Sequence, residues 1–132
     1  MPPMFLNGGG MRGGPVHRHI EGVPLLGELL TAPKYRFYSV RDEFPALVPT
    51  VTGGAAIVGE LYDVSLEMLH RSLLPAEPPE LELGTIELED GSVSFAMLLR
   101  REVLEHDAGL TEITEFGGWR AYRDEAGSER SA

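Results

Sequence analysis

The sequence predicts a single α+β domain, built on a small mixed, partly closed β-sheet or barrel with a few short helices. Three observations carry this expectation. Asp90-Gly91 lies between two runs, residues 85–89 and 93–99, that alternate apolar with polar side chains, the strongest local hairpin signal in the chain. Ser65 precedes Leu66, Leu69 and Leu73, which share a helical face, so a helix begins there with a hydroxyl cap. The remaining strand-like runs are joined by loops and hairpins rather than regular crossover helices, which favours a mixed sheet over a doubly wound one. The chain has 132 residues, one ordinary domain, long enough to bury a continuous core without a disulfide or structural metal.

Taken in order, Phe5-Leu6 reads as a short strand that runs into the glycine loop Gly8-Gly9-Gly10 and Gly13-Gly14. Pro15 suits the first turn of a short helix over residues 16–21, which Gly22, Pro24 and Gly27 keep short. Residues 35–40 are aromatic and β-branched and read as a strand. Residues 41–54 hold Asp42, Pro45, Pro49, Gly53 and Gly54 and read as a long surface loop. Residues 55–64 form the clearest strand, and the Ser65 helix follows until Pro75, Pro78 and Pro79. After the Asp-Gly hairpin, the last ordered piece is expected over residues 113–122. The total is five or six strands and two or three short helices. The domain spans residues 1–123, and the small polar residues 124–132 read as a frayed tail.

Charge and composition exclude several classes of function. With 21 acidic against 11 basic side chains the formal net charge is −10, which repels nucleic acid and anionic membranes. No cysteine is present, removing thiolate catalysis, disulfides and cysteine zinc sites together. No apolar run approaches the roughly 20 residues that span a bilayer, and no leader pattern opens the chain, so a soluble cytoplasmic protein is expected.

The candidate binding site is the loop Asn7, Gly8, Gly9, Gly10, Met11 and Arg12. Consecutive glycines let backbone amides converge on a ligand that approaches without a Cβ in its way. A carboxylate is the natural guest, with Arg12 as charge partner. Trp119, Arg120 and Tyr122 are candidates for a pocket wall, Arg120 offering a bidentate fork to a carboxylate. His17, His19 and Glu21 would diverge on a helix, so no metal site is expected, and no cofactor.

Several stretches together carry a family likeness. They are residues 7–15, the strand Val58-Gly59-Glu60-Leu61-Tyr62-Asp63-Val64, Thr31-Ala32-Pro33-Lys34-Tyr35-Arg36, and the run from Leu83-Gly84-Thr85-Ile86 to Phe116-Gly117-Gly118-Trp119-Arg120-Ala121-Tyr122. In order and spacing they resemble the C-terminal domain of allophanate hydrolases, of the γ-glutamylcyclotransferase-like superfamily, over roughly residues 4–123. The resemblance implies decarboxylation of a carboxylated urea or carbamate, here by a free-standing domain; nothing in the chain resembles the amidase part. It also implies that His17, with His19 as second choice, protonates nitrogen as CO2 leaves. Leu73-Leu74-Pro75-Ala76-Glu77 is similar to the Leu-Asp-x-x-Glu segment of cyclotransferases, which makes Glu77 a candidate acid/base. Leu74 replaces the Asp of that segment, and Asn7 stands where cyclotransferases carry Tyr. Three readings follow: a carbamate-type lyase or hydrolase on a small carboxylate-bearing substrate, a γ-glutamylcyclotransferase, or a non-catalytic accessory subunit that forms a homodimer and supports an amidase partner.

Overall fold

A computed structural model describes residues 3–8, 11–14, 17–20, 22–106 and 109–131; the side chains of His19 and of residues 126–131 lie outside that description. Among the described residues, eight strands form one mixed sheet, ordered β2-β5-β1-β7-β4-β3-β8, with β6 on the other edge of β7. The strands are β1 (Met4–Leu6), β2 (Leu25–Leu30), β3 (Tyr35–Val40), β4 (Phe44–Pro49), β5 (Val58–Tyr62), β6 (Leu81–Glu87), β7 (Val93–Leu99) and β8 (Leu110–Glu112). β1 and β4 run parallel to β7 along successive parts of one edge, Met4 opposite Phe95 and Leu47 opposite Leu98. A bridge from Thr31 to Leu88 brings the β2 end round to the β6 end, so the sheet curls into a half-barrel. The α+β expectation of a mixed, partly closed sheet with short helices describes this architecture.

The β6–β7 hairpin turns at Asp90-Gly91, where Gly91 takes φ 87° and Asp90 accepts hydrogen bonds from the Ser92 amide (2.9 Å) and hydroxyl (2.6 Å). The helix after β5 begins where Ser65 Oγ accepts a bond from the Met68 amide at 3.1 Å. It continues through a π-helical segment, Leu69–Leu73, to a last α turn, Leu74–Ala76, and buries Leu69 and Leu73 on the sheet. Burial of such a leucine contributes about 2 kcal/mol.

Three parts of the chain depart from the sequence expectation. The stretch rich in proline and glycine, residues 41–54, holds strand β4, with Ala46 and Leu47 in the core. Thr50 donates to the Lys34 carbonyl, which sets the phase of the β3–β4 pair. In that phase Pro45 and Pro49 occupy positions whose amides point away from β3, so neither removes a bond of the β3–β4 ladder. Residues Gly22 to Gly27 interrupt less than their composition suggests, since β2 runs through Gly27 with a bulge against β5. The closing helix, Trp119–Ser131, continues through the small polar residues whose composition favours fraying. Glu125, Ala126, Glu129 and Arg130 are good helix formers, and that preference prevails. Two clusters of apolar side chains occupy the two faces of the sheet, and Trp119 packs against both. No helix among the described residues is long and apolar enough to cross a membrane.

Candidate functional site

The site is assembled by strand register. β1 pairs antiparallel with β5 so that Leu6 stands opposite Glu60, and the glycine loop leaves the sheet at that point. Two turn bonds then fold the loop back, Met11 N to the Gly8 carbonyl at 3.0 Å and Gly14 N to the Met11 carbonyl at 2.9 Å. Gly8 is required by close approach, since a Cβ there would lie 2.6 Å from Pro45 Cδ. Gly13 takes φ 85°, a conformation that favours glycine.

This return brings Arg12 onto Glu60. The Arg12 amide donates to Glu60 Oε1 at 2.7 Å and its Nε to Oε2 at 2.8 Å. Tyr62, two residues along the same face of β5, donates its hydroxyl to Oε1 at 2.8 Å. From the closing helix, Arg120 Nη2 donates to the Arg12 carbonyl at 2.6 Å and reaches Glu60 Oε2 at 3.4 Å, while Nη1 lies 3.7 Å from Glu28. The Glu60 side chain is fully buried, whereas those of Arg12 and Arg120 are 56% and 46% exposed.

Burial pushes the Glu60 carboxyl up, but the two Arg12 bonds and the Tyr62 hydroxyl outweigh it and hold the group at about 2. The same burial and the adjacent carboxylate push Tyr62 to about 12. Glu60 is therefore an anion and Tyr62 a neutral donor through the physiological range. Arg12 is raised by its bond to Glu60.

Above this node opens a cleft of about 420 Å³, walled by Gly8, Met11, Arg12, Trp119, Arg120 and Arg123, with Asp124 at the rim. Three arginines and Asp124 line it, and Glu60 and Glu28 stand behind Arg12 and Arg120 as their counter-ions.

Of the residues singled out in the sequence, the structure brings Gly8, Met11, Arg12 and Arg120 together at this cleft. Gly9, Gly10 and the His19 side chain lie outside the described residues. Asn7 is half-buried at the loop entrance and is not in the cleft wall. His17 is not in the wall either; it opens a 3₁₀ turn, His17–Ile20, and its ring lies 5.9 Å from that of Tyr62. Glu77 stands apart, at the end of the last turn of the 66–76 helix. It lines a second cleft of about 310 Å³ with Leu74, Pro79, Leu81, Met97 and Arg100, which shares no wall residue with the first. Burial pushes its carboxyl up to about 7.

Sequence reasoning missed Glu60 as a site residue. The available signal was a lone carboxylate in phase with Tyr62 inside strand β5, where a buried charge is tolerated only when paired.

The chain is similar to several known proteins. A Saccharomyces cerevisiae urea amidolyase is 28% identical over 122 residues, which are 87% of this chain but 6% of that protein, so the chain spans a small fraction of this curated relative. The crystal structure of c4763, a uropathogenic E. coli-specific protein, is 31% identical with a TM-score of 0.85, over 93% of this chain and 95% of that one. Kluyveromyces lactis allophanate hydrolase shares the fold at 23% identity and a TM-score of 0.85, over 95% of this chain and 21% of that one. Residues 2–124 match the family model described as the allophanate hydrolase C-terminal domain, and the chain belongs to that family.

Proposed function

We propose that this chain is a small-molecule enzyme that removes CO2 from the nitrogen of a carboxylated urea or carbamate, N-carboxycarbamate being the simplest such substrate. One observation carries the reading: the half-exposed guanidinium groups of Arg12 and Arg120 are fixed at one cleft by a single buried carboxylate, Glu60. A guanidinium so held is preorganised for a carboxylate, because its own counter-ion is already paired and cannot enter the cleft. The substrate carboxylate bound by the arginines is the one retained. The other leaves as neutral CO2, which is favoured against an apolar surface such as the Trp119 ring in the cleft wall. The electrons of the breaking C–N bond stay on nitrogen, which takes a proton; His17, outside the cleft wall with its ring against Tyr62, is the proposed source and acts through a bridging water. An amidase partner is part of this proposal, as the source of N-carboxycarbamate.

The test adds the chain to allophanate turning over with an amidase that lacks this domain, and follows CO2 release. The chain is expected to accelerate release above the spontaneous rate. Arg12→Ala lowers kcat/KM about 100-fold, as loss of a charge-assisted pair requires. His17→Ala lowers kcat more than it raises KM, and Glu77→Gln has no effect. No acceleration by the wild-type chain would overturn the reading.

The Glu77 carboxyl, poised at about 7, favours a second reading as a γ-glutamylcyclotransferase, in which it carries a proton from the attacking amine to the leaving nitrogen. Conversion of γ-glutamyl peptides to 5-oxoproline, abolished in Glu77→Gln, would establish it instead.

A further inference from the structure

We propose that Asp42, which is not in the cleft wall, is a positioning residue for the cleft: through Tyr122 it sets where Trp119 and Arg120 stand. The inference rests on the reading of that cleft as the substrate site.

The turn between β3 and β4 is strained. Arg41 and Asp42 both adopt the left-handed region, at φ 53° and 58°, which costs two non-glycine residues of order 1 kcal/mol or more each. The surroundings fix it there. Arg41 N donates to the Gly109 carbonyl at 2.9 Å, its guanidinium reaches Glu80 at 2.6 Å, and Ser39 Oγ donates to Asp42 Oδ1 at 2.8 Å. What the strained turn presents is a carboxylate and a carbonyl aimed at the closing helix. Tyr122 Oη donates to Asp42 Oδ1 at 2.5 Å, and Arg123 Nη1 donates to the Asp42 carbonyl at 2.9 Å.

The first turn of that helix is thus held at two points. On one side Arg120 binds the Arg12 carbonyl and Glu60. On the other, Tyr122 and Arg123 bind Asp42, 80 and 81 residues away in the chain. The Tyr122 ring also stacks beside Trp119, with centroids 5.7 Å apart, and meets Phe116 edge-on at 5.2 Å. Three cleft walls, Trp119, Arg120 and Arg123, therefore take their position from a helix turn whose outer anchor is one carboxylate. An anchor in a strained turn does not slide, because the turn has one conformation that satisfies its bonds. A helix turn free to rotate would carry Arg120 out of register with Arg12.

Trp119 is the single tryptophan of the chain, so its emission reports ligand at the cleft directly. Malonate, a small dicarboxylate, is the probe, titrated against the full chain. Tyr122→Phe, which keeps both ring contacts and deletes only the hydroxyl, is expected to weaken malonate binding about ten-fold, the size of one charge-assisted hydrogen bond. Amide exchange over residues 119–124 accelerates, while the urea midpoint of the sheet moves little. Asp42→Gly removes the carboxylate and relieves the left-handed strain, so it folds at least as readily, and it weakens malonate by the same factor. Unchanged malonate affinity in both variants, or unchanged exchange over residues 119–124, would overturn the inference. If the wild-type chain gives no malonate response, the proposed function fails, and amide exchange in Tyr122→Phe still decides whether Asp42 positions the helix.

Discussion

Two glutamates, each at a cleft, show opposite electrostatics. Glu60 is the more deeply buried, yet its carboxyl sits at about 2; Glu77 is only partly buried, and its carboxyl sits at about 7. Burial acts in the same direction on both. The difference is in the donors, since Glu60 receives two bonds from Arg12 and one from Tyr62, while for Glu77 desolvation is the cause that remains. Depth alone therefore does not set the charge of a carboxylate; the hydrogen bonds that reach it do. The two clefts are correspondingly suited to different work. One is lined by arginines fixed on a buried carboxylate. The other offers a carboxyl that exchanges its proton near neutrality.

The sharpest way to break this contrast is to delete the buried anion. Glu60→Ala leaves a cavity, the Tyr62 hydroxyl and Arg12 without their buried partner, and Arg120 with Glu28 alone, and should lower stability by about 3 kcal/mol in urea unfolding. A loss well under about 1 kcal/mol would mean that the network is replaceable by water.

The pH dependence separates the two groups by sign. Glu60 falls from 4.5 unfolded to about 2 folded, so its contribution is complete above pH 4.5 and disappears as pH drops from there towards 2. Glu77 rises from 4.5 to about 7, so the folded chain keeps a proton that the unfolded chain releases, and stability declines as pH rises through that window. Glu77→Gln should flatten the decline between pH 4.5 and 7 and leave the acid limb in place. Unfolding midpoints measured from pH 3 to 8 check both, and a decline that survives in Glu77→Gln would locate it elsewhere.

The smallest effect should come from Tyr62→Phe. It removes one neutral donor while Arg12 keeps its two bonds, costs about 1 kcal/mol, and moves the acid limb to higher pH. An unmoved acid limb would show that Arg12 alone sets the ionisation of Glu60.

Much of the architecture was legible because the sequence marks it locally. Asp90-Gly91 fixed a hairpin, Ser65 a helix start, and the aromatic run at residues 35–40 a strand. β4 was not legible, because Pro45 and Pro49 read as breakers until the β3 register shows their missing amides facing away from the ladder. The closing helix was missed because its polar sequence carries no apolar periodicity to reveal it. At the site, the loop and Arg12 stood out by composition. Their counterpart Glu60 did not, since its meaning depends on a register between β1 and β5 that no local pattern states. His17 shows the converse: its position after the loop drew notice, and the fold sets its ring against Tyr62 instead of in the cleft wall.

Arg12 and Arg120, whose bond closes the cleft, are separated by 108 residues in sequence. The β3–β4 and β6–β7 hairpins form from neighbours in the chain, but β1 must wait for β5 and β7, and the loop after it must wait for the closing helix. Such distant closures are slow steps in folding. During synthesis, much of the sheet can therefore assemble before Arg12 and Arg120 meet. The cleft is thus a completion mark: its walls come together only after both remote segments have docked, since Trp119, Arg120 and Arg123 stand on the last helix and Gly8, Met11 and Arg12 on the first loop.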